Sequence, residues 1–236
     1  MIITIEKLVS GGQGLGRWND KVIFVWNALP GETVEVELLK NKKDFAEGIA
    51  KRILEPSKYR IEPKESHFLS SAPWQIMTTD AENLWKKRIA AETYSKIGDM
   101  IISENDLAID SDGQDYNYRN KIEFGFTENI EKISLAFFTR GGHKLIPIDG
   151  SLLAEPIINQ TAARILDWIQ QEKIPLRSLK SLIIRSNGAE QSIAALFIKD
   201  RLKFSELPAL SENFLGFELY YSTHKSPASV PTELLY

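Results

Sequence analysis

Apolar and polar positions alternate along the first 55 residues: Ile3 and Ile5 against Thr4 and Glu6, then Val34, Val36 and Leu38 against charged neighbours. A period of two marks strands with one buried face, and turn signals every eight to twelve residues point to a small curved barrel. The pattern predicts five short strands, among them 2–8, 21–26 and 33–39. Residues 45–54 supply the rest, with Gly48 marking a bend or bulge. Residues 11–16 read as a flexible glycine loop, and Leu29-Pro30-Gly31-Glu32 as a turn. Gly12, Gly14 and Gly16 stand at G-x-G-x-G spacing, which misses the dinucleotide fingerprint. A strand follows them where a phosphate cradle needs a helix N-terminus, so a hairpin loop is the better reading.

Beyond residue 55 the period changes. Residues 56–73 are irregular, with Pro56, Pro63 and Pro73. Thr79-Asp80-Ala81-Glu82 reads as a capping box opening a helix, with Trp85, Ile89 and Ile97 on one face and Gly98 at its end. Lys86-Lys87-Arg88 on its flank reads as a solvated face rather than a phosphate clamp. After a turn at 110–114, a strand through Lys121 to Phe126, a turn at 127–132 and a strand at 133–139 form a hairpin. Its basic end is Arg140-Gly141-Gly142-His143-Lys144, with His143 a solvated loop residue. Residues 146–150 turn into a helix with Pro156 near its start and Ile158, Ala162, Ile165, Leu166 and Ile169 as its buried stripe. Strands at 179–185 and 191–199 flank the Asn187-Gly188 turn, and a last strand covers 214–221. Hairpin, helix, hairpin, strand is an α+β layer with the helix on one sheet face. Residues 225–231 read as a linker.

Composition narrows the chemistry. Apolar content of 43% and charged content of 26% are those of an ordinary globular protein. A net charge of −3 exerts no overall pull on nucleic acid, so any basic surface is local. The chain has no cysteine, which excludes disulfides, thiolate metal sites, iron–sulfur clusters and cysteine nucleophiles within it. Its three histidines, His67, His143 and His224, are far apart, which argues against a histidine-rich metal site. No apolar run approaches a membrane span, and a cytoplasmic protein without a membrane partner is expected. Arg17 and Lys21 lie beside Trp18 and Phe24, and positive charge next to flat rings suits a nucleic-acid strand. Arg119 and Lys121 flank Asn120 beside Tyr116 and Tyr118. They are either surface charges at a strand start or part of a group that reads and stacks unpaired bases.

Gly12 to Arg17 (G-x-G-x-G-R), Val22-Ile23-Phe24-Val25 and Ala28 to Glu32 resemble a TRAM domain. That is the OB-like RNA-binding barrel at the front of the RNA (uracil-5-)-methyltransferase family. Tyr118-Arg119-Asn120-Lys121, followed by Glu123-Phe124, resembles the opening of the family's central domain, and Leu135 to Phe138 its partner strand. The resemblance implies a β barrel (OB-like TRAM domain, 1–56), then a degenerate cluster region and connecting helix (57–110). An α+β central RNA-binding domain (111–224) and a linker-like tail (225–236) follow, with no complete Rossmann-like methyltransferase domain. Glu65, Ser71, Trp74 and Ser151 stand where the family carries cluster cysteines, so the iron–sulfur ligands are lost.

The resemblance also implies an RNA partner, rRNA or tRNA. Arg17, Lys21, Lys42, Lys43 and Lys144 would contact phosphates, Phe24 would lie against the strand, and Arg119, Asn120 and Lys121 would sit closer to the bases. Methylation at C5 of uracil requires a thiolate at C6 and a base for the C5 proton. S-adenosylmethionine requires a strand–loop–helix pocket at the ends of a parallel sheet. Thirteen residues follow Thr223, against about thirty for one βαβ unit. The expectation is therefore an RNA-recognition portion with no catalytic residue and no cofactor site of its own. Its family's methyl donor would belong to a separate methyltransferase domain. A stand-alone TRAM-type RNA-binding protein and a protein-interaction or assembly module are the alternatives.

Overall fold

Five strands close into a barrel: β1 (Ile2–Leu8), β2 (Gly14–Trp18), β3 (Lys21–Trp26), β4 (Thr33–Asn41) and β5 (Phe45–Glu55), in the order β1-β2-β3-β5-β4. β3 and β5 are parallel and the other pairs antiparallel. The alternating residues Ile3, Ile5, Ile23, Val25, Val34 and Val36 fill the interior with Ala46 and Ala50. This computed structural model describes residues 1–140, 142–227 and 229–236. It divides into two compact units, Met1–Gly113 and Gln114–Tyr236.

The glycine stretch departs from its sequence reading, because half of it is strand. A Cβ on Gly14 would stand 2.8 Å from Ile5 Cγ2, and one on Gly16 2.5 Å from the Thr4 carbonyl. The glycines let β2 lie against β1, and only Val9 to Gln13 form the turn, closed by Val9 N–H donating to the Gln13 carbonyl at 2.9 Å. Gly48 is likewise a close approach, with room for a Cβ only 2.5 Å from Val36 Cγ1. The register shift there lies in β4, between Leu38 and Lys40, and β5 is one continuous strand.

The Pro-Gly turn is held by a buried ion pair. Glu32, fully buried, accepts from Leu29 N–H at 2.8 Å, Ser57 N–H at 3.1 Å and Arg60 Nε at 2.5 Å. Residues 57–113 pack in the same unit through a second core of Leu8, Leu29, Ile76, Met77 and Ala81, flanked by Trp74, Trp85 and Ile89. A one-turn helix α1 (Phe68–Ser71) precedes the long helix α2 (Thr79–Gly98). The expected capping box is not formed as read. Thr78 occupies the N-cap without a side-chain bond to the helix, and Glu82 pairs with Lys86 at 2.6 Å. Gly98 is the last helical residue, and Asp99 takes the left-handed cap position at φ 51°. Ile97 is 82% exposed, so the apolar stripe stops at Ile89.

The second unit is a seven-stranded sheet of β6 (Lys121–Asn129), β7 (Lys132–Phe138), β8 (Leu145–Ile148), β9 (Leu179–Ser186), β10 (Ser192–Ile198), β11 (Phe214–Tyr221) and β12 (Glu233–Leu234). Their order is β12-β11-β10-β9-β6-β7-β8. Helix α3 (Pro156–Gln171) covers one face with Ile158, Ala162, Ile165 and Ile169, as its stripe predicts, and Leu166 packs at the margin. The β6–β7 turn is tighter than expected, two residues, with Ile130 and Glu131 both at positive φ. β8 appears where a turn was expected, and its edge position tolerates Pro147, which has no N–H to donate.

The tail is bound to the sheet instead of leaving it as a linker. Thr232 N–H donates to the Tyr221 carbonyl and Leu219 N–H to that of Tyr236, each at 2.8 Å. Lys180 Nζ donates to Ser222 Oγ and to the carbonyls of Thr223 and Ser226 at 2.7–2.9 Å. No helix among the described residues is long and apolar enough to cross a membrane.

Candidate nucleic-acid interface

Strand register gathers the predicted cations of the first unit at one end of the barrel. Trp18 pairs with Lys21 across a two-residue turn, and the parallel pairing of β3 with β5 sets Val22 beside Phe45, where the Lys42–Lys43 turn ends. Arg17 is opposite Val22 in the same row. Lys42 and Lys43 are exposed. Arg17 lies 3.7 Å from Glu6, a half-exposed pair of little energetic weight. Lys21 is tied into the turn, donating to Asn41 Oδ1 at 2.6 Å and to the Lys42 carbonyl. Its ammonium therefore shapes the turn as well as adding charge. Phe24 is half-buried, edge-on to Phe45 at 5.9 Å. Trp18, 43% exposed, is the more open ring.

In the second unit the predicted residues also converge. β6 and β7 are antiparallel, so the start of β6, with Arg119 and Asn120 just before it, lies at the same sheet end as the β7–β8 turn that carries Lys144. Arg119 is fixed through its backbone, its N–H donating to the Leu153 carbonyl at 2.8 Å and its own carbonyl accepting from Glu155 N–H at 3.0 Å. Its guanidinium lies 6.0 Å from the Tyr118 ring centre, and Tyr118 is 45% exposed. Asn120 is exposed, its carbonyl accepting from Ser186 N–H. Lys121 is opposite Arg185 on β9. Arg185 was missed by sequence reasoning because it ends an apolar strand and meets Lys121 only through register.

The cluster positions hold a different chemistry. Buried Glu65 accepts from Ser71 Oγ at 2.9 Å and from Gln75 Nε2 at 2.6 Å, and His67 Nε2 lies 3.2 Å from its other oxygen. Trp74 donates its indole N–H to the Gly12 carbonyl at 3.1 Å, pinning the β1–β2 turn. Ser151 bonds within the second unit, its N–H donating to Asn159 Oδ1 at 3.0 Å. A carboxylate, two hydroxyls and an indole do not fit an iron–sulfur cluster, and three of the four are committed to protein hydrogen bonds among themselves or with the turn. Among the described residues no group of three or more His, Cys, Asp or Glu is placed to hold a metal ion. Clustered cations beside rings can bind an anionic chain and stack on its bases.

Residues 1–51 match the model of the TRAM domain. An uncharacterised RNA methyltransferase of Fusobacterium nucleatum is 28% identical over 206 residues, 83% of this chain and 44% of that protein. The 23S rRNA (uracil(1939)-C(5))-methyltransferase of Haemophilus influenzae is 29% identical over 177 residues, 73% of this chain and 40% of its own length. The chain thus spans less than half the length of these relatives. The crystal structure of the tRNA (uracil-54, C5)-methyltransferase of Pyrococcus abyssi, in complex with S-adenosyl-L-homocysteine, superposes with a TM-score of 0.67. At 17% identity it covers 100% of this chain and 55% of that one, a likeness of fold. Residues 1–51 thus match the TRAM domain, and over most of its length the chain is similar to RNA methyltransferases.

Proposed function

We propose that these 236 residues are the RNA-holding part of a uracil-5-type RNA methyltransferase. The observation that carries the proposal is convergence. In the first unit Arg17, Lys21, Lys42 and Lys43 collect at one barrel end beside Trp18 and Phe24. In the second, Arg119, Asn120, Lys121 and Lys144 collect at one sheet end beside Tyr118. Lysines and arginines so placed neutralise phosphates, while the amide and rings meet unstacked bases. The RNA class is rRNA or tRNA, following the named relatives.

The methyl transfer itself is assigned to residues outside these 236. The thiolate that adds to C6 has no cysteine to come from here. The two parallel strand pairs, β3–β5 and β10–β11, are not joined through a helix, so neither forms the crossover that a methyl-donor pocket is built on. No residue is assigned to S-adenosylmethionine. Isothermal calorimetry of the chain with this cofactor is expected to show no saturable heat; saturable binding would return the donor site to these residues.

Filter binding of rRNA and tRNA fragments from 50 to 300 mM salt tests the RNA reading. Affinity should fall linearly on a log–log plot, with a slope of roughly 0.7 per phosphate neutralised on single strands. Absence of binding at the lowest salt overturns it.

A further inference from the structure

On the face of the seven-stranded sheet turned away from α3, Lys121 and Arg185 are directly opposite each other. Their neighbours in sequence, Ile122 and Ile184, are buried against α3, so alternation sends both cations to the other face. Like charges in this relation destabilise a sheet. The nearby carboxylates form no ion pair with them: Glu123, next on that face of β6, accepts from Ser229 Oγ, and Glu155 accepts from Ser186 Oγ at 2.5 Å. Neither cation has an ion-pair or hydrogen-bond partner for its side chain among the described residues. The same row continues through Ile193, 50% exposed, to Gly216, which has no side chain. The result is two cations beside one open apolar side chain, Ile193.

We propose that Lys121 and Arg185 form a two-pronged clamp for one RNA phosphate, with the attached nucleoside resting on Ile193. This rests on the reading that the second unit holds RNA. It adds Arg185 to the interface and gives Lys121 a second cation with which to hold one phosphate. An anion bridging the two cations removes their repulsion and forms charge-assisted hydrogen bonds with both.

Arg185→Glu in the full chain separates a ligand site from a structural accident, because its two effects have opposite signs. Replacing repulsion by attraction should raise the thermal midpoint of the protein alone. RNA affinity should fall about fivefold to tenfold, and the salt slope should shrink by about 1. Arg185→Lys, which keeps the charge, should retain most of the affinity. A raised midpoint with unchanged RNA affinity overturns the clamp, and so does a lowered midpoint, which would mean the pair is not repulsive. If the unaltered chain fails to bind RNA at low salt, the broader reading falls and the clamp with it. Inorganic phosphate, titrated at constant ionic strength, should stabilise the unaltered chain more than Arg185→Glu; equal stabilisation counts against the pair as a phosphate site.

Discussion

Glu32 and Arg60 hold the turn between β3 and β4 by a mutual dependence that a single substitution breaks. Arg60 donates Nε and Nη2 to the Glu32 carboxylate and also Nη2 to the Asn27 carbonyl at 3.1 Å. Arg60→Met leaves a buried, uncompensated carboxylate and should cost about 3–5 kcal/mol in a urea melt. Pairing it with Glu32→Gln should recover part of that loss. A melt within 1 kcal/mol of the original for Arg60→Met alone would show the pair to be idle. The barrel glycines divide by the same local reasoning. Gly16→Ala drives a methyl into the Thr4 carbonyl and should destabilise by about 1–3 kcal/mol. Gly31 has open space but a φ of +83°, so alanine there should cost only about 1 kcal/mol, all of it backbone strain.

At the scale of elements, helix α2 is attached to the barrel partly through charge. Glu92 accepts from Lys7 at 2.5 Å and from Lys96, and these hydrogen bonds hold its carboxyl below the ordinary carboxylate range. A carboxyl lowered on folding contributes stability above its unfolded pKa, about 4.3, and loses it as pH falls through the folded value. Both partners are about one-third exposed, which keeps the contribution under about 1 kcal/mol. Glu92→Gln should therefore lower the melting temperature near neutrality and flatten its decline between pH 5 and 3; an unaltered acid limb would remove Glu92 from that account.

What the sequence revealed of these elements follows from what a local pattern can encode. Alternation at Ile3–Ile5 and Val34–Val36 and the stripe on α3 are properties of single segments, so the barrel core and the covering helix were legible. β2 was not, because Gly14 and Gly16 become strand only by fitting against Ile5 and Thr4. β8 was hidden by Pro147, which an edge accepts and a central strand would not. Ile97 kept the helical spacing of Trp85 and Ile89 yet meets no core, since spacing does not say where the underlying surface ends. The Arg119–Lys121 run was visible as a cluster, whereas Arg185 enters only through β6–β9 register.

Over the whole chain, a net charge of −3 coexists with two basic ends, so binding depends on where the charge lies. Replacing Lys42 and Lys43 together by glutamate should weaken RNA binding across sequences and reduce the salt slope by about 2 in the same filter assay, one for each phosphate contact. An unchanged slope would remove that turn from the interface. The strand borders have a different consequence. The barrel closes on itself, and the seven-stranded sheet ends on one side in a strand with Pro147 at its centre and on the other in the two-residue β12. Pro147 breaks the row of donors that an incoming chain could zip onto at one border, and at the other the tail covers the end of β11 from Leu219 to Tyr221. Among the described residues, edge-to-edge growth is thus left the short stretch 215–218.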